Sequence, residues 1–241
     1  MTGQTVVKWC LLAGLMPSLI ACAPSLSGGA FRVATTDEHT LKLSGEIVRD
    51  SSAAFEKALS ERQIDTVRVD SNGGDAEAAI KIGNMMLDRG LAVIVDGLCG
   101  SSCANYILPA ASKVTYGPKA AVVYHGDVQS SQESNRAWIA AQSKEVQTGF
   151  DEYTLRLTAQ EQAFYQRIPD KRVHALNLYV ACIGKSEPDV RFWVADPDSL
   201  ARFGLEHQGY SLPLGTQFVP GMFITRQISE ATLSACRNAA G

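Results

Sequence analysis

The chain has no long basic tract. Its 22 Lys and Arg are outnumbered by 25 Asp and Glu, giving a net charge of −3 over 241 residues. That argues against a nucleic-acid partner, which needs clustered cations to displace counterions. Beyond residue 22 no apolar run is long enough to cross a bilayer, and no phosphate-cradling ATPase loop occurs. Histidine is scarce: His39, His125, His174 and His207 are the four, so imidazole chemistry has few candidates.

The chain opens with Lys8 followed by an apolar run over residues 9–20, too short to span a membrane and suited to the core of a signal peptide. It ends Leu19-Ile20-Ala21-Cys22, which resembles the bacterial lipobox. The resemblance implies that residues 1–21 are a lipoprotein-type signal and that Cys22 is lipidated. The alternative is an ordinary secretory signal cleaved near Ala21-Cys22-Ala23. Either way export is expected, to the periplasmic face of the bacterial envelope, with membrane contact through the N-terminal lipid. Ala23 stands where the inner-membrane retention signal has Asp, which favours the outer membrane. Residues 22–40 are expected to be a flexible tether, Pro24 to Gly29 being rich in Pro, Ser and Gly. Residues 41–241 read as a single domain, long enough to bury a substantial α/β core.

Chemistry concentrates between Ser71 and His125. Val67-Arg68-Val69-Asp70 is a strand-like run that ends in Ser71-Asn72-Gly73-Gly74, where paired glycines permit positive φ and leave amides uncovered. Residues 76–87 have apolar positions at helical spacing. Residues 91–95 form a buried-strand pattern that Gly97 and Gly100 are expected to break. An apolar helix is then expected over 104–111, and a strand over 120–124 that delivers His125. Ser101 and Ser102 thus fall where a strand turns into a helix, so a hydroxyl can face outward and helix-start amides can meet negative charge. Taken singly, the glycine pair reads as a plain turn, Ser101 as a helix N-cap and His125 as a hydrogen-bonded structural histidine.

The order strand, Ser-x-Gly-Gly, helix, strand, Gly-x-x-x-Ser-x-x-Ala, helix, strand, His resembles the proteolytic subunit of the Clp protease and its crotonase-like relatives, and within that group the ClpP-like proteins of the bacterial envelope. The resemblance runs from about Lys42 to Leu205. It implies a ClpP/crotonase-like α/β fold of stacked β-β-α units with a mostly parallel sheet and a helical insertion after the histidine. It further implies a serine peptidase in which Ser101 is the nucleophile, His125 the general base, and the amides of Gly74 and Ser102 the oxyanion hole, Gly73 shaping the loop. Asp189 is the natural third member, fitting with a slip of about one residue, and Asp170 and Asp127 remain possible orienters. A peptide or protein is the implied substrate and no cofactor is expected. Residues 136–165, read as one or two amphipathic helices after a polar loop over 127–134, correspond to the family's oligomer-forming arm, or simply cover the core.

Six cysteines are present. With Cys10 in the signal and Cys22 lipidated, Cys99, Cys103, Cys182 and Cys236 remain, an even set that suggests disulfides in an exported protein. Three pairings are possible. Cys99 and Cys103 bracket Ser101 closely enough to be bridged, which would leave Cys182 with Cys236. A metal site built from Cys99, Cys103 and His125 fits the surrounding pattern poorly, and none is expected. His174 is a fallback base, and Lys81, Lys113 and Lys119 are the lysines nearest the motif for a serine-lysine scheme. Two other classes fit the same scaffold: a crotonase-type enzyme acting on acyl-coenzyme A thioesters, and a non-catalytic envelope module that holds a partner.

Overall fold

A computed structural model describes residues 29–168, 171–186, 192–211, 223–224, 231 and 234–236. Cys22 and the rest of residues 1–28, together with Asp170 and Asp189, lie outside the described residues. The fold is α/β, built on one mixed sheet of eight strands. In chain order its elements are β1 (Arg32–Thr35), β2 (Thr40–Ile47), α1 (Ser51–Glu61), β3 (Thr66–Gly74), α2 (Ala76–Arg89), β4 (Ala92–Gly100) and a π-helical segment (Cys103–Ile107). There follow β5 (Val114–Tyr116), β6 (Ala121–Tyr124), α3 (Val128–Ala140), α4 (Lys144–Gln166), α5 (Val173–Ser186), β7 (Phe192–Val194), α6 (Pro197–Arg202) and β8 (Phe223–Ile224). Among the described residues no helix is long and apolar enough to cross a membrane.

The strands lie in the order β1-β2-β3-β4-β6-β7-β8, with β5 also on β4. Because β2, β3 and β4 are parallel neighbours in chain order, right-handed crossovers put α1 and α2 on one face of the sheet. There α1 packs on α2, and α2 on the π-helical segment and α4. The central strands bury one face fully, where Val67, Val69, Val93 and Val95 are enclosed, while Arg68 and Ile94 on the other face are only half-buried, so residues 91–95 are not the strand buried on both faces that their aliphatic run suggests. Helix α2 is bounded by its own chemistry. The Asp75 side chain accepts from the Ala78 amide at the start, and Gly90, at φ 62°, closes the end.

One edge of β4 is shared. Its first half, Val93 to Val95, pairs with β5, and its second half, Leu98 to Gly100, pairs with β6. This split lets β6 run alongside the last residues of β4 and brings the chain after Tyr124 next to the chain after Gly100. The antiparallel pairs β1–β2 and β6–β7 make the sheet mixed rather than uniformly parallel.

Several expectations are corrected here. The Ser71-Asn72-Gly73-Gly74 stretch is not a turn but the end of β3, paired to β2 through Glu46–Gly73 and Ile47–Gly74. Gly97 does not end the fourth strand, which runs on to Gly100 and stops there, with an irregularity opposite Asp70. The expected apolar helix over 104–111 is a short π-helical segment followed by turns. The polar stretch 127–134 is no loop: most of it is the first part of α3. Residues 22–40 were expected to form a tether, yet β1 lies within them and pairs with β2.

Candidate active site

The site is assembled where β4 and β6 end side by side. Register pairs Gly100 with Val123, and the Ser101 amide donates to the Val123 carbonyl at 2.8 Å. From this shared point the chain turns sharply at Ser101, whose φ of 53° makes it the one described non-glycine residue with positive φ. Left-handed backbone at a serine costs about 1–2 kcal/mol and persists only where neighbours enforce it. Here the Cys99–Cys103 disulfide closes a ring around the turn. The Asn105 amide also reaches back to the Ser101 carbonyl at 2.9 Å.

The turn places the Ser101 hydroxyl 2.6 Å from His125 Nε2. Phe192 stacks edge-on against that imidazole at 5.2 Å between centroids. His125 keeps a solvent-exposed side at the cleft mouth. Enough protein surrounds the ring nonetheless that burial lowers its pKa from the ordinary 6.5, partly offset by a backbone hydrogen bond at His125 itself. A neutral imidazole at neutral pH is what a general base requires.

The glycines expected to shape the site do so by close approach. A Cβ on Gly73, whose φ is 87°, would lie 2.5 Å from the Gly100 carbonyl oxygen, 2.7 Å from the Ser102 nitrogen and 2.8 Å from Ser101 Cβ. Only glycine lets β3 press against the serine turn this tightly. The buried Ser102 hydroxyl donates to the Gly74 carbonyl at 2.7 Å. That bond ties together the two residues expected to supply oxyanion amides. A cleft of about 270 Å³ opens here, bordered by Gly73, Gly74, Ser101 and His125, with Leu98 and Val123 among its apolar walls.

Behind His125 lies a polar chain that sequence reasoning missed. Asn177 Nδ2 donates to Asn105 Oδ1 at 2.9 Å, and Asn105 Nδ2 donates to the Gly126 carbonyl at 2.9 Å. Both asparagines are buried, so this relay from α5 fixes the backbone just past the imidazole. The available signal was an amide inside each apolar run, Asn105 in 104–111 and Asn177 in α5.

Other candidates are placed elsewhere. Asp127 caps α3, accepting from the Ser130 amide, and its Oδ2 lies 2.7 Å from His174 Nδ1. It therefore orients His174, not His125, and His174 is not the base for Ser101. Among the described residues no carboxylate is hydrogen-bonded to the His125 ring. Lys81 pairs with Glu77 on α2, and among the described residues no lysine borders the cleft. His39 contacts the Gln63 carbonyl and His207 that of Leu205, both away from the site. Cys182 is bonded to Cys236, so Cys99, Cys103, Cys182 and Cys236 form two disulfides. Among the described residues no group of three or more His, Cys, Asp or Glu could hold a metal ion.

No protein-family model matches the chain, and no curated protein matches it significantly.

Proposed function

We propose that this chain is an exported, lipid-anchored serine hydrolase of ClpP-like, crotonase-related fold, acting on peptides. The observation that carries the reading is the 2.6 Å contact between the Ser101 hydroxyl, on a strained turn, and His125 Nε2. A hydroxyl held in that way, beside an imidazole kept neutral by burial, is the arrangement that activates an alcohol.

In the proposed reaction Ser101 Oγ bonds to the scissile carbonyl carbon while its proton passes to His125 Nε2. Backbone amides of Gly74 and Ser102 stabilise the resulting oxyanion. His125 then returns the proton to the leaving amine as the C–N bond breaks, leaving an acyl-enzyme on Ser101. Water, deprotonated by the same imidazole, releases the acid. Asp189 is proposed as the carboxylate that holds the His125 tautomer, and Cys22 as the lipid attachment point. The helices from α3 to α4 are proposed as the surface for contacts between copies.

A fluorophosphonate probe tests this directly. The purified protein is expected to be labelled at Ser101 and the Ser101→Ala variant to remain unlabelled. Labelling that survives the substitution would refute the assignment. Asp189→Asn is expected to slow labelling without abolishing it.

A further inference from the structure

Glu46 lines the cleft, and among the described residues its side chain has no partner. It lies on β2 opposite Gly73, and Gly73 in turn backs onto Ser101, so the three residues form one row across adjoining strand ends. Two interstrand spacings of ~4.8 Å put the Glu46 backbone about 10 Å from the serine. Glu46 borders the cavity that Ser101 and His125 open into. Its side chain is exposed, and among the described residues it makes no hydrogen bond or ion pair.

The other carboxylates near these strands are occupied. Asp96 is held by Arg68 at 2.6 and 2.7 Å, and Asp70 accepts from the Leu98 amide at 3.1 Å. Among the described residues no cationic side chain borders the cleft to neutralise Glu46. Leu98, Val123 and Phe192, from β4, β6 and β7, give the cleft an apolar wall on the serine's side, and Gly73 lies between the serine and Glu46. An apolar slot with an unneutralised carboxylate at one side suits a ligand group with an aliphatic stem and a cationic tip.

We infer that Glu46 is a specificity-determining residue that selects a lysine or arginine side chain of the bound peptide. This rests on the hydrolase reading for its catalytic meaning, but the recognition itself does not require turnover. Lysine offers a flexible four-carbon stem and a point charge, arginine a planar fork, and both reach a carboxylate across apolar surface. Because Glu46 is exposed, the attraction is screened and its strength depends on salt.

Binding is therefore measured on the Ser101→Ala protein, with acetyl-Ala-Ala-Lys-Ala-Ala-amide and the same peptide carrying norleucine for lysine. The lysine peptide is expected to bind about threefold more tightly at low ionic strength, as an exposed charge pair allows. That preference should shrink as salt is raised. Glu46→Gln should remove most of it, and Glu46→Lys should transfer it to a peptide with glutamate in place of lysine. Equal affinity for the two peptides, no measurable binding of either, or a preference unchanged by Glu46→Gln would each overturn the inference. Fluorophosphonate labelling of the otherwise unaltered protein reads the hydrolase assignment separately. A labelled protein without lysine preference loses only the role of Glu46; an unlabelled one with that preference keeps a cation-selective cleft and loses the chemistry.

Discussion

Asp127 Oδ2 lies 2.7 Å from His174 Nδ1, so the carboxylate just beyond His125 serves a different imidazole. The Tyr165 hydroxyl donates to the same oxygen at 3.3 Å. Next to it, the fully buried Glu161 accepts from the Tyr106 hydroxyl at 2.5 Å and from the Val128 and Gln129 amides at the start of α3. Burial, then the charge of Asp127, raises the Glu161 pKa. These contacts join α3, α4, α5 and the π-helical segment into one polar knot behind the site.

His174 gives a pH signature of stability. Its pKa is raised from 6.5, first by the Asp127 hydrogen bond, so its protonated form is favoured in the folded protein. That contribution is fully present below the unfolded value of 6.5 and is lost as pH rises through the folded value. His125, with its pKa lowered, acts in the opposite sense. The difference in thermal stability between wild type and His174→Gln is expected to be larger at pH 5.5 than at pH 8. An equal difference at both pH values would contradict the pairing.

The rate of Ser101 labelling should follow the ionisation of His125. Since burial lowers that pKa, the acid limb of the rate profile is expected to have its midpoint below 6.5. A midpoint well above it, toward the lysine range, would point to a different base.

Gly73→Ala brings a methyl group within 2.5 Å of the Gly100 carbonyl oxygen at a φ of 87°. The expected cost is ~2 kcal/mol or more, with loss of labelling because the serine turn is displaced. A melting curve and a labelling assay on the same preparation read both effects. Unchanged values in both would show that β3 does not brace the turn.

The two disulfides should separate stability from activity. Cys182–Cys236 spans 54 residues and Cys99–Cys103 only 4. Chain entropy alone then predicts up to ~4 kcal/mol for the first and ~2 kcal/mol for the second. Replacing Cys182 and Cys236 by Ala should lower the denaturant midpoint further, whereas replacing Cys99 and Cys103 should cost less stability but more of the labelling rate. The reverse pattern would place the stress of the site elsewhere.

Much of the site was legible because its residues follow one another in a simple rhythm. Ser101 and His125 each stand at the end of a buried aliphatic strand, and parallel pairing of those strands brings the ends together. Less legible was why glycines were needed. Gly73 and Gly74 read as turn formers, yet they end a strand, and what requires glycine is the approach of Gly100 and Ile47 from neighbouring strands. Such contacts are set by tertiary structure and leave no local pattern. The same holds for α3. Its polar start looks like a loop, but an Asp127–Ser130 capping box and the distant Glu161 carboxylate satisfy its first amides. The buried Asn105 and Asn177 were visible as polar residues in apolar runs, but their alignment depended on a helix docking far along the chain.

Position 101 adopts a backbone shape that glycine would occupy at lower cost, and the residue there is serine. The substitution that relaxes the turn is thus also the one that deletes its hydroxyl. Comfort and chemistry pull this single site in opposite directions, and the residue in place is the one that keeps an oxygen at the cleft.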